Sequence, residues 1–350
     1  MNVHTDNPHT VIPGSLKDLY APIASSIQDV EALLTEKLRS DIAFVDKLAK
    51  YGFRIGGKRL RPALVLLAGR AAGDIVPDHV KYGAVVELIH TATLIHDDVL
   101  DEADIRRHLD TANARWGNEA SILLGDYLLA MSMEMVSQTD SSRAAPVLTR
   151  TVRKMCEGEL WQVASRGNLD LTEDEYFQII GGKTASLLAC CCKLGAELLR
   201  PEKTEEDTPD ELQPLAESLY DYGYQLGLAF QIADDLLDLT GDEQVTGKSL
   251  GTDLEKQKLT LPLIHFMQHA DPQDRKQVES MLSGDSNDEE IARQRSQLPA
   301  LLDRFGSIDY ARGQAAKFAE AARLKLDALP DTDAKQSLVG LTKYVVKRRR

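Results

Sequence analysis

Leu94-Ile95-His96-Asp97-Asp98-Val99-Leu100-Asp101 is one of two stretches of the same form; the other is Ala233-Asp234-Asp235-Leu236-Leu237-Asp238. Both read Asp-Asp-x-x-Asp inside an apolar run. On a helix, positions i, i+3 and i+4 share a face, so Asp97 and Asp101 stack with Asp98 beside them. Three carboxylates within about one turn repel each other, and neither triplet contains a Lys or Arg to offset this. Hard cations with oxygen ligands would neutralise them, and Mg²⁺ shared between carboxylates and phosphates is a common solution. One such triplet reads most simply as a solvated acidic helix end. Two, each preceded by residues of buried type, point to opposing acidic walls across one cavity, with metal ions between them.

Working outward, the 350-residue chain is 43% hydrophobic, ample for a core. Its net charge of −14 argues against general nucleic-acid binding, which needs a basic surface. Met1 to Pro13 is polar, with neither a basic start nor an apolar run, and is expected to be disordered. No segment approaches the roughly 20 consecutive apolar residues of a membrane span. Cys156 and the run Cys190-Cys191-Cys192 have neither zinc-finger nor disulfide spacing, and read as small core residues in a reducing cytoplasm. The expected location is cytoplasmic.

From Ser15 to about Ala49 the apolar residues recur at helical intervals, predicting an amphipathic helix. Gly56-Gly57 breaks the pattern, and Pro62 suits the first turn of the next element. Pro77-Asp78 starts a long apolar helix running to the first triplet. Helices are predicted over 118–137 and 143–164. Thr172 with Glu175 forms a capping-box signature for another. Gly181-Gly182 interrupts that helix and it resumes from Lys183 to Leu199. Pro201 to Asp210 reads as a charged loop, Glu211 to Leu239 as one long helix, and Thr240 to Lys258 as a loop. Leu261 to His269 is helical again, Ser283 to Asp288 is a polar linker, and further helices finish the chain. No alternating strand pattern persists, so the fold class is all-α. The repeat of helix plus triplet in both halves predicts a single large helical bundle with a central cavity, one domain over residues 14–350.

Cationic and polar groups gather near both triplets. Gly56-Gly57-Lys58-Arg59-Leu60-Arg61 places two glycines before three cations, an anion site in which helix-start N–H groups join Lys and Arg. It lacks the spacing and Ser/Thr partner of a P-loop. His90 lies two turns before Asp97 on the same face, where a core histidine or a substrate contact are both open. Arg106-Arg107 follows the first triplet. Lys183-Thr184 follows Gly181-Gly182, Gln231 shares the face of Asp234 and Asp235, and Lys248 and Lys258 bracket the next loop. Together they supply what a diphosphate clamp needs, oxygen-ligated metal plus cationic donors. The inventory supports two diphosphates: one bridged by metal to both triplets, the other held by Lys58, Arg61, His90 and Arg107 without metal. No Ser/His/Asp set or Cys/His pair stands at suggestive spacing, so the chemistry supplied is polarisation of a phosphate leaving group.

In these features the sequence resembles the all-trans polyprenyl diphosphate synthases, the head-to-tail isoprenoid elongases, of the octaprenyl-like medium- and long-chain kind. The matching motifs are Gly56-Gly57-Lys58-Arg59-Leu60-Arg61-Pro62, His90 with the first triplet, Arg106-Arg107, Gly125-Asp126, Lys183-Thr184, Phe230-Gln231-Ile232-Ala233 with the second triplet, Gly247-Lys248, and Lys258 before Thr260-Leu261-Pro262. The resemblance implies the isoprenoid synthase type I fold and a prenyltransferase. It implies about three Mg²⁺ ions per site, held by Asp97, Asp101 and Asp234 among the six triplet aspartates. An allylic diphosphate, farnesyl or geranylgeranyl, would be held with Arg106, Lys183, Thr184, Gln231, Lys248 and Lys258. Isopentenyl diphosphate would be held by Lys58, Arg61, His90 and Arg107. A homodimer and transient membrane-surface contact by the apolar product are further implications. One departure stands out: the family places Gly before the last lysine and Pro after it, and here they are Gln257 and Leu259.

Short-chain relatives carry an aromatic at the fourth or fifth position before the first aspartate. Here those positions are Thr93 and Ala92, both small, so the tunnel for the growing chain is open past its first floor. This predicts a product of about C30 to C50, suited to a quinone side chain, with the helix of Met131 and Met135 or a partner subunit as the deeper floor. A short-chain farnesyl or geranylgeranyl diphosphate synthase is the alternative. A class I terpene cyclase would replace the second triplet by an Asn/Ser/Glu-type motif and would not need Lys58 and Arg61. A non-catalytic synthase subunit or a helical metal-binding interaction protein would carry degenerate triplets. The terminal Lys347-Arg348-Arg349-Arg350 reads as a solvated basic tail.

Overall fold

Helices account for nearly all of the regular structure in the computed structural model, which describes residues 15–54, 57–139, 141–200, 212–241, 252–283 and 297–347. The expectations for the first 13 residues, Gly56, the 201–210 loop, Lys248 and the 284–288 linker lie outside the described residues.

The stretch expected as one helix from Ser15 is divided into α1 (Leu16–Leu19), a 3₁₀ turn (Ala21–Ile23), α2 (Ala24–Lys37) and α3 (Ala43–Arg54). Two local features divide it. Pro22 sits in the 3₁₀ turn, and Ser40 Oγ accepts from the Ile42 amide at 3.2 Å, offering the backbone a turn instead of a helix. The chain continues through α4 (Leu60–Ala72) and α5 (Pro77–Leu100). A two-residue-stranded hairpin then pairs Ile105–Arg106 with Leu109–Asp110. It is followed by α6 (Ala112–Ser137), α7 (Ala144–Ala164) and α8 (Glu173–Ile180). The capping box is present: Thr172 Oγ1 accepts from Glu175 N, and Glu175 Oε2 accepts from Thr172 N at 2.9 Å. Gly181–Ala185 is a π-turn, so the expected interruption is a widened turn that leads directly into α9 (Ser186–Glu197). Then come α10 (Leu212–Thr240), α11 (Thr252–Glu255), α12 (Leu261–His269), α13 (Pro272–Ser283), α14 (Ser307–Lys325) and α15 (Asp333–Lys347). The fold is all-α, as expected.

Two apolar clusters share α10. Ala216, Leu219, Tyr222, Leu226 and Ala229 pack with α4, α5 and α9, while Leu228, Ile232 and Leu236 pack with α8 and α12. The central packing is α4 against α5 and α9, and α9 against α10. This sets the triplet-bearing ends of α5 and α10 on either side of one helix pair. Cys190, Cys191 and Cys192 are buried in this core, but Cys156 is exposed on α7, against expectation. Two helical segments are long and apolar enough to cross a membrane: Glu173–Glu197, mostly buried, and Ala112–Ser137, of whose apolar window only 39% is buried.

Candidate active site

The first triplet ends α5, with Asp101 as its C-cap residue and no basic residue in the last turn. Carboxylates there oppose the negative end of the helix dipole, so their compensation must come from elsewhere in the fold. It comes from three directions. Arg106, on the hairpin, donates from Nε to Asp98 Oδ1 at 2.7 Å; Asp98 is buried and Arg106 half-buried. Lys183 Nζ from the π-turn lies 3.8 Å from Asp97 and 2.5 Å from Glu159 of α7. Asp101 faces Arg166 Nη2 at 3.4 Å, Lys256 Nζ at 3.2 Å and Lys258 Nζ at 3.7 Å. These surroundings split the triplet electrostatically. Burial, with Glu159 and Asp101 nearby, pushes Asp97 up to about 6 despite Lys183. Burial also raises Asp101, but Lys258 and Lys256 outweigh it and hold that carboxyl below its ordinary value.

The second triplet lies in the last two turns of α10, again with no basic residue in the last turn. Asp235 is buried and accepts from Tyr176 Oη at 2.6 Å and Gln231 Nε2 at 2.8 Å. Burial and the neighbouring Asp253 push it up to about 8. Asp238 Oδ2 accepts from the Asp253 amide at 3.2 Å. Gln231 Oε1 in turn accepts from Thr184 Oγ1 at 2.7 Å. The two triplets therefore meet through neighbouring residues of the π-turn: Lys183 reaches Asp97, and Thr184 reaches the helix of Asp234. Gln162 of α7, with its amide oxygen inward, accepts from both Lys183 and Lys258 Nζ at 3.2 Å. A cavity of about 90 Å³ opens here, lined by Lys183, Gln231, Asp235, Asp253, Lys258 and Thr260, among others.

A separate cationic pocket adjoins the first wall. The hairpin turn residues Arg107 and His108 have φ of 52° and 63°, the two left-handed residues of a type I′-like turn. That turn parts the arginine pair: Arg106 goes to Asp98, and Arg107 lays its guanidinium against Gly57, where a Cβ would collide with it. Arg61 is nearby, with Nε buried and without a hydrogen-bond partner. Burial and the charges of Arg61 and Arg107 hold the His90 imidazole well below its ordinary value, so it is neutral. Lys58 Nζ donates to Tyr344 Oη at 2.9 Å. An orphaned arginine donor beside a second arginine and a neutral imidazole suits an incoming anion.

The structure thus gathers the described candidates for diphosphate and metal binding into two neighbouring sites. Thr93 donates to the His90 carbonyl at 2.9 Å, and Ala92 is wholly buried in the core. Glu159, Gln162, Arg166, Tyr176 and Lys256 were not singled out in the sequence. Glu159 and Gln162 stand at i and i+3 on one face of α7, and Arg166 follows in the turn after it, a polar pair that could have drawn notice. Among the described residues no three acidic, histidine or cysteine side chains converge into a ready-made metal shell. The donor set fits divalent ions whose coordination is completed by phosphate oxygens, the usual habit of Mg²⁺.

The polyprenyl synthetase family profile matches residues 42–298. The octaprenyl diphosphate synthase of Escherichia coli K12 is 36% identical over 330 residues, covering 93% of this chain and 97% of its own. The all-trans-nonaprenyl-diphosphate synthase of Rhodobacter capsulatus is 35% identical, covering 95% of this chain and 98% of its own. A polyprenyl synthase of Caulobacter crescentus CB15, solved with calcium and isoprenyl diphosphate, superposes with a TM-score of 0.88 at 34% identity, covering 96% and 99%. The chain belongs to the polyprenyl synthetase family. It is a prenyltransferase of the all-α isoprenoid synthase fold, and the medium- to long-chain expectation agrees with the names of these relatives.

Against the family pattern, Gln257 stands in the place of a glycine. Its φ is 53°, the left-handed conformation a glycine would take. Two contacts hold it there. Gln257 Nε2 donates to the Leu282 carbonyl at 2.8 Å, and the Gly167 amide donates to the Gln257 carbonyl at 3.0 Å. The turn is kept without the glycine, and Lys258 stays within 3.7 Å of Asp101.

Proposed function

We propose that this enzyme condenses isopentenyl diphosphate repeatedly onto an allylic diphosphate, with Mg²⁺, to give a product of about C30 to C50 of the length used in quinone side chains. The observation that carries the reading is the joint between the triplets: Lys183 beside Asp97, and Thr184 bonded to Gln231 one turn before Asp234. It is a single anion-and-cation site flanked by a second pocket in which cations predominate.

The roles follow from the contacts. Asp97, Asp101 and Asp234 would hold the divalent ions, whose bound charge stabilises a departing diphosphate. Asp98, Asp235 and Asp238 are tied to Arg106, to Tyr176 with Gln231, and to the Asp253 amide, so they brace the walls rather than lead the coordination. Lys183, Lys258 and Arg106, with Thr184 and Gln231, hold the allylic diphosphate, and Lys248 is assigned there by the family motif. Lys58, Arg61, His90 and Arg107 hold isopentenyl diphosphate, with His90 as a neutral N–H donor. Its double bond attacks the allylic C1, the C–O bond to the leaving diphosphate breaks, and the proton lost from the new cation passes to that diphosphate. No protein base is required. The chain acts as one domain and as a homodimer.

The test is to incubate the purified chain with labelled isopentenyl diphosphate, farnesyl diphosphate and Mg²⁺ and to size the products. A ladder ending at about C30 to C50 is expected, and Ala92→Phe should end it earlier by filling the tunnel. Cyclised products, or no elongation by the single chain, would overturn the reading. A ladder that stops at the first or second addition would favour a short-chain synthase.

A further inference from the structure

Arg59 stands between Lys58 and the Arg61 turn, yet its side chain leads away from the pocket. As N-cap residue of α4 it has φ 51° and ψ 37°, a left-handed conformation unfavourable for a residue with a Cβ unless its surroundings hold it. The surroundings here are specific. Nε and Nη2 donate to the two carboxylate oxygens of Glu31, on α2, at 2.5 and 3.4 Å. Nη1 donates to Glu87 Oε1, on α5, at 2.8 Å. The guanidinium also lies 4.4 Å from the Phe53 ring centroid, on α3. Arg59 thus fastens the entry of α4 to three other helices and has spent its planar donor fork on them.

Glu87, the other partner of Arg59, completes the arrangement. It is 2% exposed and sits one turn before His90 on α5, with the charges of Arg59, Arg61 and Arg107 all close by. A buried carboxylate among three guanidiniums relieves the repulsion that a pocket built for an anion suffers before the anion arrives. The backbone of the same turn is tied once more by Tyr20 Oη, which donates to the Lys58 carbonyl at 3.0 Å.

We propose that Arg59, clamped by Glu31 and Glu87, is a positioning residue for the isopentenyl diphosphate site: it fixes the left-handed turn that aims Lys58 and Arg61 before the diphosphate binds. This rests on the assignment of Lys58, Arg61, His90 and Arg107 to that substrate. Glu31 makes the proposal testable, because it lies outside the pocket and its side chain is 42% exposed.

The experiment is steady-state kinetics on Glu31→Gln and Arg59→Lys, varying isopentenyl and farnesyl diphosphate separately, with thermal melts alongside. Each variant should raise KM for isopentenyl diphosphate about fivefold while KM for farnesyl diphosphate and kcat stay within about twofold. The double variant should be no worse than the poorer single one, since both break one clamp. If Arg59 instead touched the diphosphate, releasing it from Glu31 would leave KM unchanged or lower it, and that result overturns the proposal. Equal losses in both KM values and in kcat would mean general loosening and overturn it too. Lys58→Ala tests the site itself: an unchanged KM for isopentenyl diphosphate there refutes the site assignment, whereas a raised KM with a silent Glu31→Gln refutes only the clamp.

Discussion

Asp97 is a carboxylate kept at a loss. Burial lifts it to about 6, from an ordinary value of 3.8. Between roughly pH 4 and 6 the native state therefore binds more protons than the unfolded chain. Stability from this group falls as pH rises through that window, and above it the ionised carboxylate is a net cost of at most ~3 kcal/mol. Asp97→Asn should accordingly melt no lower than wild type at pH 8, and up to about 4 °C higher, with the advantage vanishing near pH 4. Elongation in the same variant should drop by more than about a hundredfold. Adding Mg²⁺ should raise the wild-type melting temperature more at pH 8 than at pH 5, and raise that of the variant less. Near-normal turnover by Asp97→Asn would remove this carboxylate from the chemistry. The sequence made Asp97 and Asp101 legible because carboxylate spacing on a helix is a local fact. It could not show that Asp98 would be claimed by Arg106, because that pairing depends on a hairpin turn built from two non-glycine residues at positive φ. Nor could it show Lys256 beside Asp101, since the intervening chain spans 155 positions with no periodicity linking them.

The crossing of α9 and α10 sets the distance between the walls. Gly223 and Gly227, one turn apart on α10, meet the backbone of Ala189 and Ala185, where an added Cβ would overlap main chain. Main-chain atoms cannot swing aside as a flexible side chain can. Gly227 is one turn before Gln231, and Ala185 follows Thr184, so this contact lies beside the hydrogen bond that joins the triplets. Gly227→Ala should cost about 1–3 kcal/mol in overpacking, lowering the melting temperature by roughly 1–4 °C. It should also raise KM for the allylic substrate more than for isopentenyl diphosphate, since only the former is assigned to the π-turn and α10. An unchanged melt together with an unchanged KM would show that the helices separate freely at this point. Long helices of this kind were readable to within a residue or two: Leu212–Thr240 against an expected 211–239, and Leu261–His269 as expected. Ser15 to Ala49 was not, because its apolar period runs on past Lys37, where α2 ends, and the Ser40 hydroxyl then holds a turn by accepting from the Ile42 amide.

Apolar surface decides how one copy meets another. One face of α6 buries Leu124, Leu128, Met131 and Met135 in the core that includes α5, while Ile122, Leu123 and Met133 stand 45%, 66% and 61% exposed on the opposite side. With Ala130 they form a stripe at helical spacing, an arrangement that water tolerates poorly over such a length. Membrane insertion would satisfy that face only by tearing the inner one from the core. A second copy would satisfy it without disturbance, burying on the order of 800 Å² per partner as stable interfaces do. Leu123→Glu combined with Met133→Glu should therefore run as a monomer in light scattering coupled to size exclusion, where the wild type is expected to run as a dimer, with helical content retained. Both substituted residues point away from the triplets, so the monomer keeps its diphosphate contacts. If the partner forms part of the deep tunnel floor, the monomer's product ladder should differ in length while its first condensation persists. A doubly substituted chain that still elutes as a dimer would place the subunit contact on another face.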